Sequence, residues 1–149
     1  MEEPHFYRVD VKSEGLKTGF LDSPDIPALD VASPPQFGGP AGVWSPEHLF
    51  VASVASCLMT TFRAIADRSG LEVLEYSDSA SGMLVRGDDR LYKITDVTLR
   101  PRVVVADPAK VDRVLRLIDK AEQVCLISRS IAATVHVEPS VIVASPAQV

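Results

Sequence analysis

Apolar and polar residues alternate along the first 32 positions, and the pattern then changes period. "HFYRVDV" (5–11) and "GLKTGFLD" (15–22) read as paired strands, and "IPALDVA" (26–32) as a third short strand broken by Pro27. Residues 33–44 are rich in Pro and Gly, which predicts a loop of constrained shape. "SPE" at 45–47 is a helix start, with Ser45 as N-cap, Pro46 at the first helical position and Glu47 in the first turn. That central helix is predicted over 46–69, stopped by Gly70. Residues 72–86 and 91–105 read as two longer strands joined by the turn "GDD" (87–89), a hairpin over 72–105. "DPAKVDRVLRLIDKAEQ" (107–123) repeats the helix signature, with Asp107 as cap, Pro108 at the first position and Val111, Val114, Leu115, Ile118 and Ala121 as one apolar stripe. "VCLISRS" (124–130) predicts a short helix opening near Cys125, so helices cover 107–130, and 131–144 is a final strand. The order β-β-β-α-β-β-α-α-β, carried by one domain over 1–149, predicts an α+β fold with antiparallel sheets.

The central helix carries a second message. Leu49, Phe50, Val51, Val54, Ala55, Leu58, Met59, Phe62 and Ile65 cover nearly its whole circumference. A helix apolar all round is buried all round. One sheet in a chain of this size covers one side, so the other side calls for the same helix of a second subunit, a homodimer. The competing arrangement covers it with the C-terminal helix of the same chain.

Composition narrows the function. Apolar residues make up 46% and charged residues 23% of the 149 positions, an ordinary globular balance. The net charge of −5 comes from 15 basic and 20 acidic side chains, and the basic residues are scattered, which argues against nucleic-acid binding. No uninterrupted apolar run reaches membrane-spanning length, so no membrane partner is expected. "MEEPHFYRVD" is acidic and polar, the wrong chemistry for a signal or transit peptide, and a cytoplasmic location is expected.

The chemistry then rests on two cysteines, Cys57 and Cys125. No C-x-x-C occurs, and His5, His48 and His136 have no metal-ligand spacing with the cysteines, so neither a thioredoxin-type motif nor a metal or other cofactor is expected. Cys57 lies in the most apolar stretch of the chain, "VASVASCLMTTF" (51–62), where a cysteine serves either as a small hydrophobe or as a reactive thiol sheltered from water. A reactive thiol must be a thiolate, and apolar burial opposes that, so a working Cys57 needs a cation nearby and a carboxylate to hold the cation. Glu47 is the best-placed carboxylate, yet the helical rise from 47 to 57 is about 15 Å. Glu47 would therefore reach Cys57 only across an antiparallel crossing of two copies. Such a thiolate would attack a peroxide and become a sulfenic acid. Cys125 would condense with it to a disulfide, and a dithiol would reset the pair. A Cys125 that opens a helix would have its pKa lowered. The alternative for Cys125 is simple packing beside Leu126 and Ile127.

"PQFGGPAGVWSPEHLFVASVASCLMTTF" (35–62) followed by Cys125 in "AEQVCLISRSI" (121–131) resembles the OsmC/Ohr family, the osmotically inducible protein C-like and organic hydroperoxide resistance proteins. The likeness runs from about Lys12 to Val143. It implies an intertwined α+β homodimer with antiparallel sheets around long buried central helices and two sites at the interface. It implies further that Cys57 is the peroxidatic cysteine, Cys125 the resolving one and Glu47 the site glutamate. The implied substrate is an organic hydroperoxide, and the implied reductant a dithiol such as dihydrolipoamide. One departure stands out: the peroxidase members hold the thiolate with an arginine, and no arginine lies between Arg8 and Arg63 here. Lys17 in "EGLKTGF" either takes that role, as a point charge without the guanidinium fork, or is a solvated hairpin residue. Arg129 is a fallback cation, and His48 beside Glu47 a further candidate. Phe37, Trp44 and Phe50 are candidate walls of a substrate pocket or else core anchors. Two functions follow, a thiol peroxidase for organic hydroperoxides and a non-peroxidase dimer that binds a small apolar or thiol-reactive ligand.

Overall fold

Alternation in the first segment does produce a three-stranded antiparallel meander, with the first two strands displaced toward the C-terminus of the expected runs and the third on the expected residues. In the computed structural model, which describes residues 3–148 apart from the side chain of Gln148, β1 is Asp10–Ser13, β2 Thr18–Ser23 and β3 Ile26–Ala32. Phe6, Tyr7 and Val9, expected in a strand, lie outside it and are exposed, because no facing segment supplies a ladder for residues 5–9. Ser13 pairs with Gly19, where a Cβ would sit 2.4 Å from the Lys12 carbonyl oxygen, so only glycine fits. Pro27 is tolerated because β3 is an edge strand.

The Pro/Gly segment is a constrained loop, as its composition predicts. A 3₁₀ turn at Pro35–Phe37 is closed by Gly38 at φ 79°, and Trp44 returns to β3 through an Ala32 N–H bond to its carbonyl at 2.9 Å. This first compact unit ends at Phe50 and the second begins at Val51.

Helix α1 (Pro46–Arg68) runs through that division with the expected punctuation. Ser45 is fully buried and its Oγ accepts the His48 N–H at 3.2 Å, the N-cap bond. At the other end Gly70 takes φ 68°, its N–H bonds the Asp67 carbonyl at 3.0 Å, and the Leu71 N–H bonds the Ala66 carbonyl at 2.9 Å, the paired closure of a Schellman motif. Val54, Leu58, Phe62 and Ala66 form the buried stripe, one residue per turn. All-round burial does not occur within one chain. Leu49, Phe50, Val51, Ala55 and Ile65 are half covered, Met59 is 39% exposed, and Ser56, Thr60, Arg63 and Asp67 face out. By length and composition α1 also passes as a membrane span, although no apolar run of that kind was expected, and it buries the Val54, Leu58, Phe62 and Ala66 stripe within the chain.

Three long strands were expected in the second unit, and each is cut in two. The run 72–86 yields β4 (Glu75–Asp78) and β5 (Ser81–Arg86), the run 91–105 yields β6 (Tyr92–Leu99) and β7 (Pro101–Val105), and the run 131–144 yields β8 (Thr134–Val137) and β9 (Ser140–Val143). The expected hairpin is present in both limbs, with β5–β6 and β4–β7 antiparallel. The last run pairs parallel, β8 on β6 and β9 on β7, so the sheets are mixed where antiparallel sheets were expected. A connection through a helix delivers the chain in the parallel sense, as crossovers do.

The three cuts lie side by side and make one crease, with β5-β6-β8 on one side and β4-β7-β9 on the other. Arg100 fastens it. Its N–H donates to Asp78 Oδ1 at 2.7 Å, its Nη1 donates to the Ser79 carbonyl at 3.3 Å and Ser81 Oγ at 3.2 Å, and its Nε lies 3.8 Å from Glu138 Oε2. Burial raises the Asp78 pKa, and the Arg100 N–H and guanidinium only partly offset this. A raised carboxyl pKa means that the folded state loses stability as pH climbs through it, whereas in acid the neutral carboxyl carries no such cost. Asp78→Asn keeps the acceptor for Arg100 and removes the charge. Its melting temperature is expected to exceed wild type at neutral pH and to match it in acid, and a lower value at neutral pH would contradict this account.

Helix α2 (Val111–Val124) follows a 3₁₀ turn at Pro108–Lys110, with the Asp107 side chain accepting the Ala109 N–H at 2.9 Å. Val114, Ile118 and Ala121 of its apolar stripe are buried. Its end differs from expectation. Cys125 does not open a helix but closes α2 as its C-cap at ψ 113°, and a separate 3₁₀ turn, Ser128–Ser130, comes after.

Candidate functional site

Cys57 sits on α1 immediately before the buried Leu58, so it lies at the margin of the packed stripe and is partly exposed. Thr61, one turn on, brings its Oγ1 to 4.0 Å from the Cys57 Sγ. Cys125 is fully buried at the close of α2. The two thiols bear on each other electrically, Cys125 lowering the Cys57 pKa and Cys57 raising that of Cys125.

The turn after Cys125 supplies the rest of the contact. The Cys125 N–H is taken by the Glu122 carbonyl at 3.2 Å, and the Arg129 and Ser130 N–H groups by the carbonyls of Cys125 and Ile127 at 3.1 and 2.9 Å. The backbones of Ile127 and Leu126 both favour the charged form of Cys57.

The two sulfurs are driven apart electrically. Burial pushes the Cys57 thiol up, but the Cys125 S–H, the Ile127 N–H, the Thr61 hydroxyl and the Leu126 N–H together outweigh it and hold the group below the ordinary thiol range. Burial also pushes Cys125 up, and there the bond to Cys57 adds to it, with the Ser128 hydroxyl and N–H pulling weakly the other way. Of the two, Cys57 is therefore the more readily ionised and Cys125 the one that keeps its proton longer. One expectation is corrected: the Cys125 pKa is raised, not lowered, because the residue is buried at the end of a helix and not at the start of one, with Cys57 adding to the effect. Within one chain the groups that lower Cys57 are a thiol, a hydroxyl and two backbone amides.

The remaining sequence candidates belong to the first unit. The Lys17 ammonium donates to the Phe37 carbonyl, which ties the β1–β2 turn to the Pro/Gly loop. Trp44 is half exposed and meets the His48 ring edge-on at 6.3 Å, and with Gly42, Val43 and His48 it lines a cleft of about 320 Å³. The His48 Nδ1 is bonded to Ser45 Oγ at 2.7 Å. Glu47 lies in the first turn of α1, and its buried Oε2 has no partner among the described residues. Phe50 is half covered, and Arg129, in the second unit, is exposed in the 3₁₀ turn after Cys125. Among the described residues no group of three or more His, Cys, Asp and Glu side chains gathers as for a metal. Sequence reasoning missed Thr61, Leu126 and Ile127. A threonine four residues beyond a helical cysteine was a visible signal, whereas backbone amides leave none.

Residues 39–140 match a family model described as OsmC-like protein. The uncharacterized protein YmaD of Bacillus subtilis (strain 168) is 27% identical over 142 residues, covering 93% of each chain. The solved structure of an OsmC-like protein of unknown function from Vibrio cholerae superposes with a TM-score of 0.84 at 21% identity, over 92% of this chain and all of that one. The structure of an organic hydroperoxide resistance protein OsmC from Legionella pneumophila, a predicted redox protein, gives 0.73 at 27% identity, over 94% of this chain and all of that one.

Proposed function

From the premise that the chain belongs to the OsmC-like family, we propose that it is a thiol-dependent peroxidase that reduces organic hydroperoxides through Cys57 and Cys125. The family includes proteins described as organic hydroperoxide resistance proteins. One observation carries the reading for this chain: two thiols that influence each other are shifted in opposite directions, Cys57, partly exposed on α1, toward the thiolate and Cys125, buried at the close of α2, toward the thiol.

The steps balance. The Cys57 thiolate attacks the hydroperoxide, the O–O bond breaks, and Cys57 becomes a sulfenic acid as an alkoxide leaves. The Cys125 S–H gives its proton to the alkoxide, which departs as the alcohol. The new Cys125 thiolate attacks the sulfenic sulfur and hydroxide leaves. A dithiol such as dihydrolipoamide then reduces the disulfide, restores the thiolate and the thiol, and releases the proton that turns hydroxide into water. No metal or other cofactor enters. The reductant demands a reducing compartment, the cytoplasm.

The working unit of this proposal is a homodimer. The half-covered apolar residues of α1 favour a second copy on that face, and the unpartnered Glu47 carboxylate oxygen favours a partner from the other chain. Lys17 is the cation that a crossing of two copies would bring to it. Phe37, Trp44 and Phe50 would then wall the substrate's entry.

The test counts thiols. Reduced protein mixed with cumene hydroperoxide is expected to lose both thiols of each chain rapidly, and Cys57→Ser is expected to retain its remaining thiol. Persistence of both thiols in the wild type would leave the other reading, a dimer that binds a small apolar or thiol-reactive ligand without turnover.

A further inference from the structure

The start of α1 carries a serine–histidine pair that the thiol chemistry does not use. Ser45 is fully buried, and its Oγ has two partners, both on His48: it accepts the backbone N–H at 3.2 Å and lies 2.7 Å from the ring Nδ1. A serine hydroxyl has one proton to give and two lone pairs to receive with. Were Nδ1 to carry the ring proton, Oγ would accept twice, and its own buried proton would have no acceptor among the described residues, which costs free energy. Ser45 therefore donates to Nδ1, and the ring proton sits on Nε2. The helix cap thus sets the tautomer of the histidine three residues on.

Nδ1 is spent on the buried serine, whereas His48 as a whole is exposed, and its Nε2–H makes no hydrogen bond among the described residues. The ring borders a cleft of about 320 Å³ with Gly42, Val43 and Trp44, and the Trp44 ring meets it edge-on at 6.3 Å. Both walls are pinned. Trp44 is bridged to Val31 and its carbonyl takes the Ala32 N–H at 2.9 Å, while Gly42 makes the turn before it at φ 78°, a conformation that favours glycine. His48 is pinned by Ser45.

A largely apolar cleft with one fixed donor is the ordinary form of a small-molecule site. A cavity of about 150 Å³ holds benzene, so this cleft takes a single ring with a short substituent. The charge of the ligand follows from its surroundings. Glu47, in the same turn, leaves a buried carboxylate oxygen without a partner among the described residues, and a second anion beside it would be repelled. A cation would meet Nε2–H, which donates and cannot accept. We propose that the Trp44–His48 cleft binds a small neutral molecule, its apolar ring seated against Trp44 and its acceptor oxygen, that of an alcohol or a ketone, taking the His48 Nε2–H. This goes beyond the peroxidase reading and does not depend on it.

The probe is 2-phenyl-2-propanol, a tertiary alcohol with one ring and no O–O bond, so nothing in the test depends on turnover. Trp44 is the only tryptophan of the chain, and its emission reports this cleft. Titration of the full, reduced chain is expected to give a saturable change in that emission. His48→Leu keeps an apolar side chain without a donor and should weaken binding about fivefold, the worth of one neutral hydrogen bond. His48→Gln, whose side-chain amide still donates, should weaken it less. Nitrogen chemical shifts of the His48 ring should place the proton on Nε2 before the probe is added. A linear response without saturation, equal affinity in His48→Leu, or a ring proton on Nδ1 would each overturn the proposal.

Discussion

Alanine at position 125 is expected to silence turnover and at the same time to raise the pH at which Cys57 becomes a thiolate. The first effect removes the resolving sulfur. The second removes the S–H donor that contributes most to holding the Cys57 anion. A hydrogen bond to a charged group is worth enough to move the Cys57 pKa by about one unit. The sign follows from the direction of the native shift. Because Cys57 is lowered, its oxidation rate climbs with pH and levels off below the ordinary thiol range. In Cys125→Ala that climb moves to higher pH. Serine separates the two effects, since its hydroxyl still donates to the Cys57 sulfur but cannot form a disulfide. Cys125→Ser should keep the wild-type pH profile for the first oxidation and still fail to turn over. The measurement is the second-order rate of Cys57 oxidation across pH in all three proteins, and an Ala profile that overlays wild type would remove Cys125 from the anion's support.

The largest loss of stability is expected at Phe62. It is fully buried at the centre of the α1 stripe, between Leu58 and Ala66, and it carries the ring of Tyr76. Truncation to alanine leaves a cavity that rigid neighbours on α1 and β4 fill only in part. The expected cost is about 3–5 kcal/mol by denaturant unfolding. Met59→Ala, from a side chain already 39% exposed, should cost less than about 1 kcal/mol and serves as the control. Equal losses at the two positions would mean that the stripe is not the core of the helix.

Where the fold was legible, the signal was local. Ser45, Pro46 and Gly70 set the limits of α1 within a residue, since capping depends on a few adjacent side chains. The hairpin over 72–105 was legible from two apolar runs and a turn. The crease was not, because it depends on Arg100 reaching Asp78, Ser79, Ser81 and Glu138, partners far apart in sequence. The parallel pairing of β8 and β9 escaped for the same reason, since alternation gives a strand's faces but not its direction. At the site, both cysteines were legible, but the neutral groups around Cys57 were not. The search was for a charged side chain, whereas within one chain the groups that lower the Cys57 pKa are the Cys125 thiol, the Thr61 hydroxyl and the backbones of Ile127 and Leu126.

An anion held by neutral dipoles behaves differently in brine from one held by a counter-charge. Dissolved ions screen the attraction between full opposite charges over a Debye length of about 8–10 Å at physiological ionic strength, and they leave short amide and thiol hydrogen bonds largely untouched. The groups that lower the Cys57 pKa within one chain include no full positive charge. Added electrolyte is therefore expected to leave that support largely in place, and a fall in Cys57 reactivity with salt would reveal a cation such as Lys17 brought by a second copy.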